Sequence, residues 1–152
     1  MQQMLQKLVN TLEGRWTSQK TIYDFTNKKI DTHNSIVNIS LIKFTNISVN
    51  LAYVCKYENS NKKKITYNYI AQNKQLPIIG KIEKADTSIV TEYMFQLQDK
   101  NNLKIQYHDK NILYTEYIYF IQENFKLSFV IIKKEQKYIA IGFISDIKII
   151  KK

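Results

Sequence analysis

The chain has 152 residues, 44% of them hydrophobic and 24% charged, and 23 Lys and Arg against 13 Asp and Glu give a formal net charge of +10. That length supports one domain burying roughly 70% of the surface its unfolded form exposes, and apolar runs such as Phe129 to Ile132 are too short for a helix to cross a bilayer. The positive charge is almost all Lys and is spread through polar segments, which predicts weak steering toward acidic partners and no nucleic-acid partner, since phosphate recognition draws on clustered Arg forks.

The first 13 residues read as a short helix, because Met4, Leu5, Leu8, Val9 and Leu12 recur every three to four residues and Gly14 can end the run. This opening has neither the charged-then-apolar order of a secretory signal nor the Arg and Ser richness of a transit peptide, so the expectation is a protein that stays where it is made. From Trp16 onward, stretches of Ile, Val, Tyr, Phe and Thr alternate with polar clusters such as TNKKIDTHN, ENSNKKK, DKNN, HDKN and KKEQK. The alternation predicts about ten strands, near residues 15–25, 35–44, 47–57, 65–72, 78–84, 89–98, 103–107, 112–121, 125–133 and 138–149. The runs Lys62-Lys63-Lys64 and Lys133-Lys134, with His33 and His108, are expected in turns. Pro77 with Gly80 is expected to bend the sheet between two halves.

No second helix is long enough for a parallel crossover, so the strands should form an antiparallel meander. Such a meander has two edges, and closure removes both. The expected fold is all-β: a single domain built as a closed antiparallel up-and-down barrel of about ten strands over residues 14–150, with residues 1–13 as a capping helix.

Three glycines cannot build a phosphate loop or a dinucleotide fingerprint. The two histidines are not at metal-ligand spacing, and no metal is expected. Cys55, the only cysteine, makes no internal disulfide and reads as a buried strand thiol in a reducing compartment. An enzyme built from these residues works mainly by holding something.

GRWTSQKTIYDF, residues 14–25, contains the only Trp, the only Arg and one of the three Gly. Gly14-x-Trp16, at the end of a helix and the start of a first strand, is similar to the lipocalin signature in which an indole plugs a barrel floor, giving a lipocalin- or fatty-acid-binding-protein-like fold. The whole segment resembles the G-x-W-x-S-Q-R-T-x-Y opening of the phycobiliprotein lyases of the CpcS/CpeS type. Further on, YTEYIYFIQENFKLSFVII resembles that family's T-E-Y, W-F and N-L-R-L-R block, and GFISDIKI its F-x-S-E-I-R. Lys20, Lys126, Ser128 and Lys148 stand where the pattern has Arg, and Tyr119 replaces the Trp of the W-F pair.

The resemblance implies a chromophore lyase that attaches a linear tetrapyrrole (a bilin such as phycocyanobilin or phycoerythrobilin, as substrate, with no resident cofactor) to a cysteine of a phycobiliprotein apo-subunit through a thioether. It implies Glu116 and Asp146 as the catalytic pair, accepting hydrogen bonds from pyrrole N–H groups, and Trp16, Ser18, Lys20, Tyr114, Lys126, Ser128 and Lys148 as ligand-binding residues. It also implies a plastid stroma, with a cyanobacterial cytoplasm as the alternative, and is compatible with a homo- or heterodimer. A non-catalytic carrier of a bilin or another hydrophobic ligand shares the same fold. Strand alternation leaves two faces open: Lys126 and Ser128 line the lumen, or Phe125, Leu127 and Phe129 do. A bilin burying on the order of 400 Å² of apolar surface would gain roughly 10 kcal/mol before the costs of binding.

Overall fold

Alternating apolar and polar residues give ten strands after one helix, α1 (Gln2–Thr11): β1 (Gly14–Asp24), β2 (Lys29–Ile42), β3 (Leu51–Tyr57), β4 (Lys64–Ala71), β5 (Ile78–Asp86), β6 (Ile89–Asp99), β7 (Asn102–Asp109), β8 (Ile112–Gln122), β9 (Phe125–Lys134) and β10 (Lys137–Lys148). The computed structural model describes residues 2–42, 51–58 and 63–150. Each strand pairs antiparallel with its neighbours in sequence, and β10 returns to pair with β1 from Trp16↔Lys148 to Asp24↔Ala140, closing the barrel.

A ten-residue helix is marginal alone in water; α1 forms because its apolar stripe has a place to go. Leu5, Leu8, Val9 and Leu12 are all buried, sharing a core with Trp16, Ile39, Leu97 and Leu103, and each such side chain contributes about 1.5–3 kcal/mol by leaving water. The helix therefore stops one end of the barrel, and these side chains pack the lumen there. At the other end lie the tight hairpin turns joining β1 to β2, β5 to β6, β7 to β8 and β9 to β10.

Two glycines are fixed by sterics. Gly14 has φ +140°, and a Cβ there would also lie 3.1 Å from the Lys148 Cδ. Gly80 faces inward where a Cβ would sit 2.8 Å from the Phe95 ring and 2.1 Å from the Ile70 carbonyl oxygen. Pro77 lies in the connection between β4 and β5, where the chain bends, and Gly80 inside β5 makes the last pair of the β4–β5 ladder, with Ala71.

Several polar segments expected as turns belong to strands. β2 starts at Lys29, so Asp31, Thr32, His33 and Asn34 pair with β1 along its whole length. His108 pairs with Leu113 between β7 and β8, Lys64 opens β4, and Lys133 and Lys134 close β9. At the rim both faces of a strand are wet, so the backbone ladder continues past the point where the hydrophobic pattern stops. The expected strand ends over 43–50, and Lys62, lie outside the described residues.

The choice between the two faces of β9 is resolved by burial. Ser128 and Val130 are buried, whereas Phe129 is 44% exposed. The outer wall of β8, β9 and β10 instead carries an edge-on aromatic row, Tyr119 to Phe129 at 5.9 Å and Phe129 to Phe143 at 5.2 Å between centroids.

Candidate functional site

Above the packed end of the lumen lies a cavity of about 240 Å³. Its lining falls into three groups. Leu12, Val37, Ile39, Ile82, Ile105, Ile118 and Ile144 supply apolar surface; Tyr53, Tyr57, Tyr67, Tyr69 and Tyr93 form an aromatic wall; Ser18, Lys84, Tyr114, Glu116, Lys126 and Asp146 bring polar atoms inward.

Strand register assembles the polar groups. Ser18, Asp146 and Lys126 lie opposite one another across β1, β10 and β9, and the Lys126 Nζ is 3.7 Å from the Asp146 Oδ2. Both side chains are mostly shielded, at 16% and 10% exposure, so each compensates the other's desolvation. Two residues apart on β8, and therefore on one face, the Tyr114 hydroxyl donates to the Glu116 Oε1 at 2.9 Å. Burial, then the adjacent Glu116 carboxylate, push the Tyr114 hydroxyl up from its ordinary pKa; it remains a proton donor to that carboxylate. The Tyr53 and Tyr69 hydroxyls meet at 3.2 Å and pair with each other, and burial raises both.

Trp16 is 2% exposed and is packed in the core with the buried side chains of α1. Its indole Nε1 donates to the Leu12 carbonyl at 2.8 Å, and the ammonium groups of Lys126 and Lys148 stand 5.2 and 5.0 Å from the ring centroid, within cation–π range. Lys148 passes Gly14 and donates from Nζ to the Thr11 carbonyl at 2.8 Å, placing a cation at the C-terminus of α1, where the helix dipole favours it. Desolvation lowers its pKa despite that contact. Arg15 points the other way: its guanidinium makes two hydrogen bonds to Glu58, at 2.7 and 3.0 Å, and Glu58 also accepts from Asn38. The three uncommon residues that open β1 thus have three separate tasks: passage for Lys148, an outer clasp, and a core anchor bonded to the end of the helix.

Among the residues expected to bind ligand, Ser18, Tyr114, Glu116, Lys126 and Asp146 line the cavity together. Trp16, Lys148 and Ser128 do not line it: Trp16 and Ser128, each 2% exposed, are packed around it, and Lys148 is bonded to the Thr11 carbonyl. Lys20 continues the Ser18 face toward the rim and does not line the cavity. Sequence reasoning missed Lys84 and the tyrosine wall. Both were legible in the period-two alternation of IIGKIEKAD and ITYNY: Lys84 shares a face with the buried Ile78, Gly80 and Ile82, and Tyr67 with Tyr69. Cys55 also faces the cavity, and burial pushes its thiol up to about 12 against the opposing pull of Lys126 and Lys84; it stays a neutral thiol.

At about 240 Å³ the cavity is just under the roughly 300–1,000 Å³ of sites that enclose a drug-sized ligand. A cavity of that size is too small to enclose the whole of an open-chain tetrapyrrole, so the apolar burial it can offer is less than the sequence-based figure.

No family model matches the chain. It is 36% identical over 148 residues, covering 93% of this chain and 95% of the relative, to a chromophore lyase CpcS/CpeS homolog from Gracilaria tenuistipitata var. liui. Its fold superposes on the S-type phycobiliprotein lyase CpeS of Guillardia theta with a TM-score of 0.71 and 13% identity, covering 97% of this chain and 94% of that one. A protein of unknown function from the DUF3598 family of Nostoc punctiforme superposes with a TM-score of 0.60 and 12% identity, covering 93% of this chain and 49% of that one. Near full-length identity with the first of these, on a barrel whose interior gathers the residues of the three sequence blocks, establishes that the chain belongs to the CpcS/CpeS family of chromophore lyases.

Proposed function

We propose that this protein attaches a linear tetrapyrrole to a cysteine of a phycobiliprotein subunit. The observation that carries the reading is the convergence of Glu116 and Asp146, from β8 and β10, on one cavity with an aromatic wall. Conjugated pyrrole rings pack against tyrosine faces, and the two carboxylates accept hydrogen bonds from pyrrole N–H groups, favouring the protonated chromophore. The acceptor's S–H then adds across the ring-A ethylidene double bond: sulfur bonds the exocyclic carbon, the proton passes to the bilin, and nothing leaves. Because the nucleophile comes from the acceptor, the enzyme contributes positioning and control of protonation. Tyr114 holds Glu116 in place, and Lys126 does the same for Asp146.

The bilin in this reading is the substrate, with no resident cofactor, and the acceptor is an acidic protein that a +10 chain attracts. The plastid stroma is the proposed location, on the Lys, Asn and Ile bias of the composition; fractionation of the source cells tests it. Mixing the purified protein with a bilin and an apo-subunit tests the activity. A coloured subunit that survives denaturation is expected, and a spectral shift without covalent transfer would make the protein a carrier.

A further inference from the structure

We infer that Lys84 is the carboxylate anchor of the cavity, holding an acidic side arm of the ligand near the mouth while the ligand's apolar end lies deeper. The inference rests on the proposed function for the identity of the ligand, but not for its charge.

Four ionisable side chains with formal charge line the cavity: Lys84, Glu116, Lys126 and Asp146. Lys126 already has Asp146 at 3.7 Å. Lys84 has no carboxylate within 4.0 Å among the described residues; its ammonium instead stands 5.8 Å from the Tyr93 ring centroid. A cation lining a cavity with no carboxylate at ion-pair distance gains more from an anion that enters than one already paired. Lys126 sits near the start of β9 and beside Trp16, at the closed end, whereas Lys84 lies two residues before the rim end of β5, opposite Tyr67 on one side and Thr91 on the other. The unpaired cation is thus at the level where a partly inserted ligand still carries its polar arms. The motif comparison pointed to Lys20, Lys126 and Lys148 as the cations that bind the ligand. The geometry gives each another situation: Lys20 is off the cavity, Lys126 is paired, and Lys148 is bonded to the helix.

The test measures dissociation constants of biliverdin and of its dimethyl ester for the wild type and for Lys84→Met, Lys84→Arg and Lys126→Met, with circular dichroism to verify folding. A charge-assisted contact predicts that the wild type prefers the diacid by about tenfold. Lys84→Met should erase that preference without changing ester affinity, and Lys84→Arg should keep it. A preference that survives Lys84→Met, or that disappears only in Lys126→Met, overturns the assignment. If neither tetrapyrrole binds, the proposed function fails, and pyrenebutyrate against its methyl ester on the same proteins decides the anchor separately: acid preference lost only in Lys84→Met supports it, and equal binding of acid and ester overturns it.

Discussion

Glu116 and Asp146 reach the same cavity from different supports, and their substitutions should differ accordingly. Glu116→Gln keeps the shape and an acceptor for Tyr114 but removes the charge; thioether formation should fall about 10- to 100-fold with little change in stability. Asp146→Asn should slow transfer similarly and also cost about 1–2 kcal/mol, less than for a sealed pair because Lys126 retains access to the cavity. Transfer kinetics and chemical denaturation measure the two effects, and wild-type rates in both variants would remove the carboxylates from the mechanism. Cys55, by contrast, should be silent: buried, and with its pKa near 12, it should resist alkylation in the native protein and react on unfolding, and Cys55→Ser should transfer the chromophore at close to the normal rate. Motif matching found Glu116, Asp146 and Lys126 because they sit in recognisable blocks. Lys84 had no block around it, and only the alternation of its strand, read against a closed barrel, reveals which way it points.

The hairpin turns at the mouth contain no glycine. Lys28, Thr87, Lys110, Glu135 and Gln136 all take positive φ, between 51° and 69°, a region that costs a side-chain-bearing residue about 1 kcal/mol. Gln136→Gly, in an exposed turn that needs two such residues in succession, should therefore stabilise the protein by about 0.5–1 kcal/mol, measured by urea denaturation. The same turns explain which strand ends were legible. Positions with an apolar partner across the lumen kept the period of two and were read correctly, as in β6 and β9. The arm of β2 from Lys29 to Asn34 has no core to face, so its composition resembles a loop although its backbone is fully paired with β1. The helix was legible from its stripe, but its role depends on Lys148, 137 positions away from the Thr11 carbonyl it binds, a contact that no local pattern encodes.

Across the whole molecule the tyrosine wall sets the response to alkali. Burial raises the hydroxyls of Tyr53, Tyr57, Tyr67, Tyr69, Tyr93 and Tyr114 above their ordinary value of 10.0, with Tyr57 at about 12. Between those values the folded state keeps protons that the unfolded chain gives up. The stabilisation is thus complete below pH 10.0 and is lost as pH rises, by about 2 kcal/mol near pH 12 for Tyr57 alone. The tyrosinate absorbance of these six should accordingly appear together with loss of β-sheet circular dichroism in one steep alkaline transition; ionisation of all 11 tyrosines in a still-folded barrel would contradict the packing of that wall.

Among the described residues, α1 stoppers one end of the barrel and Lys148 rivets strand to helix, so a long guest enters from the opposite, hairpin end. Whichever tip goes in first must come out last. The tip left at the threshold is the one a second protein can touch, so the direction in which the guest is threaded decides which of its ends is handed over, and departure requires only a retreat along the path of arrival.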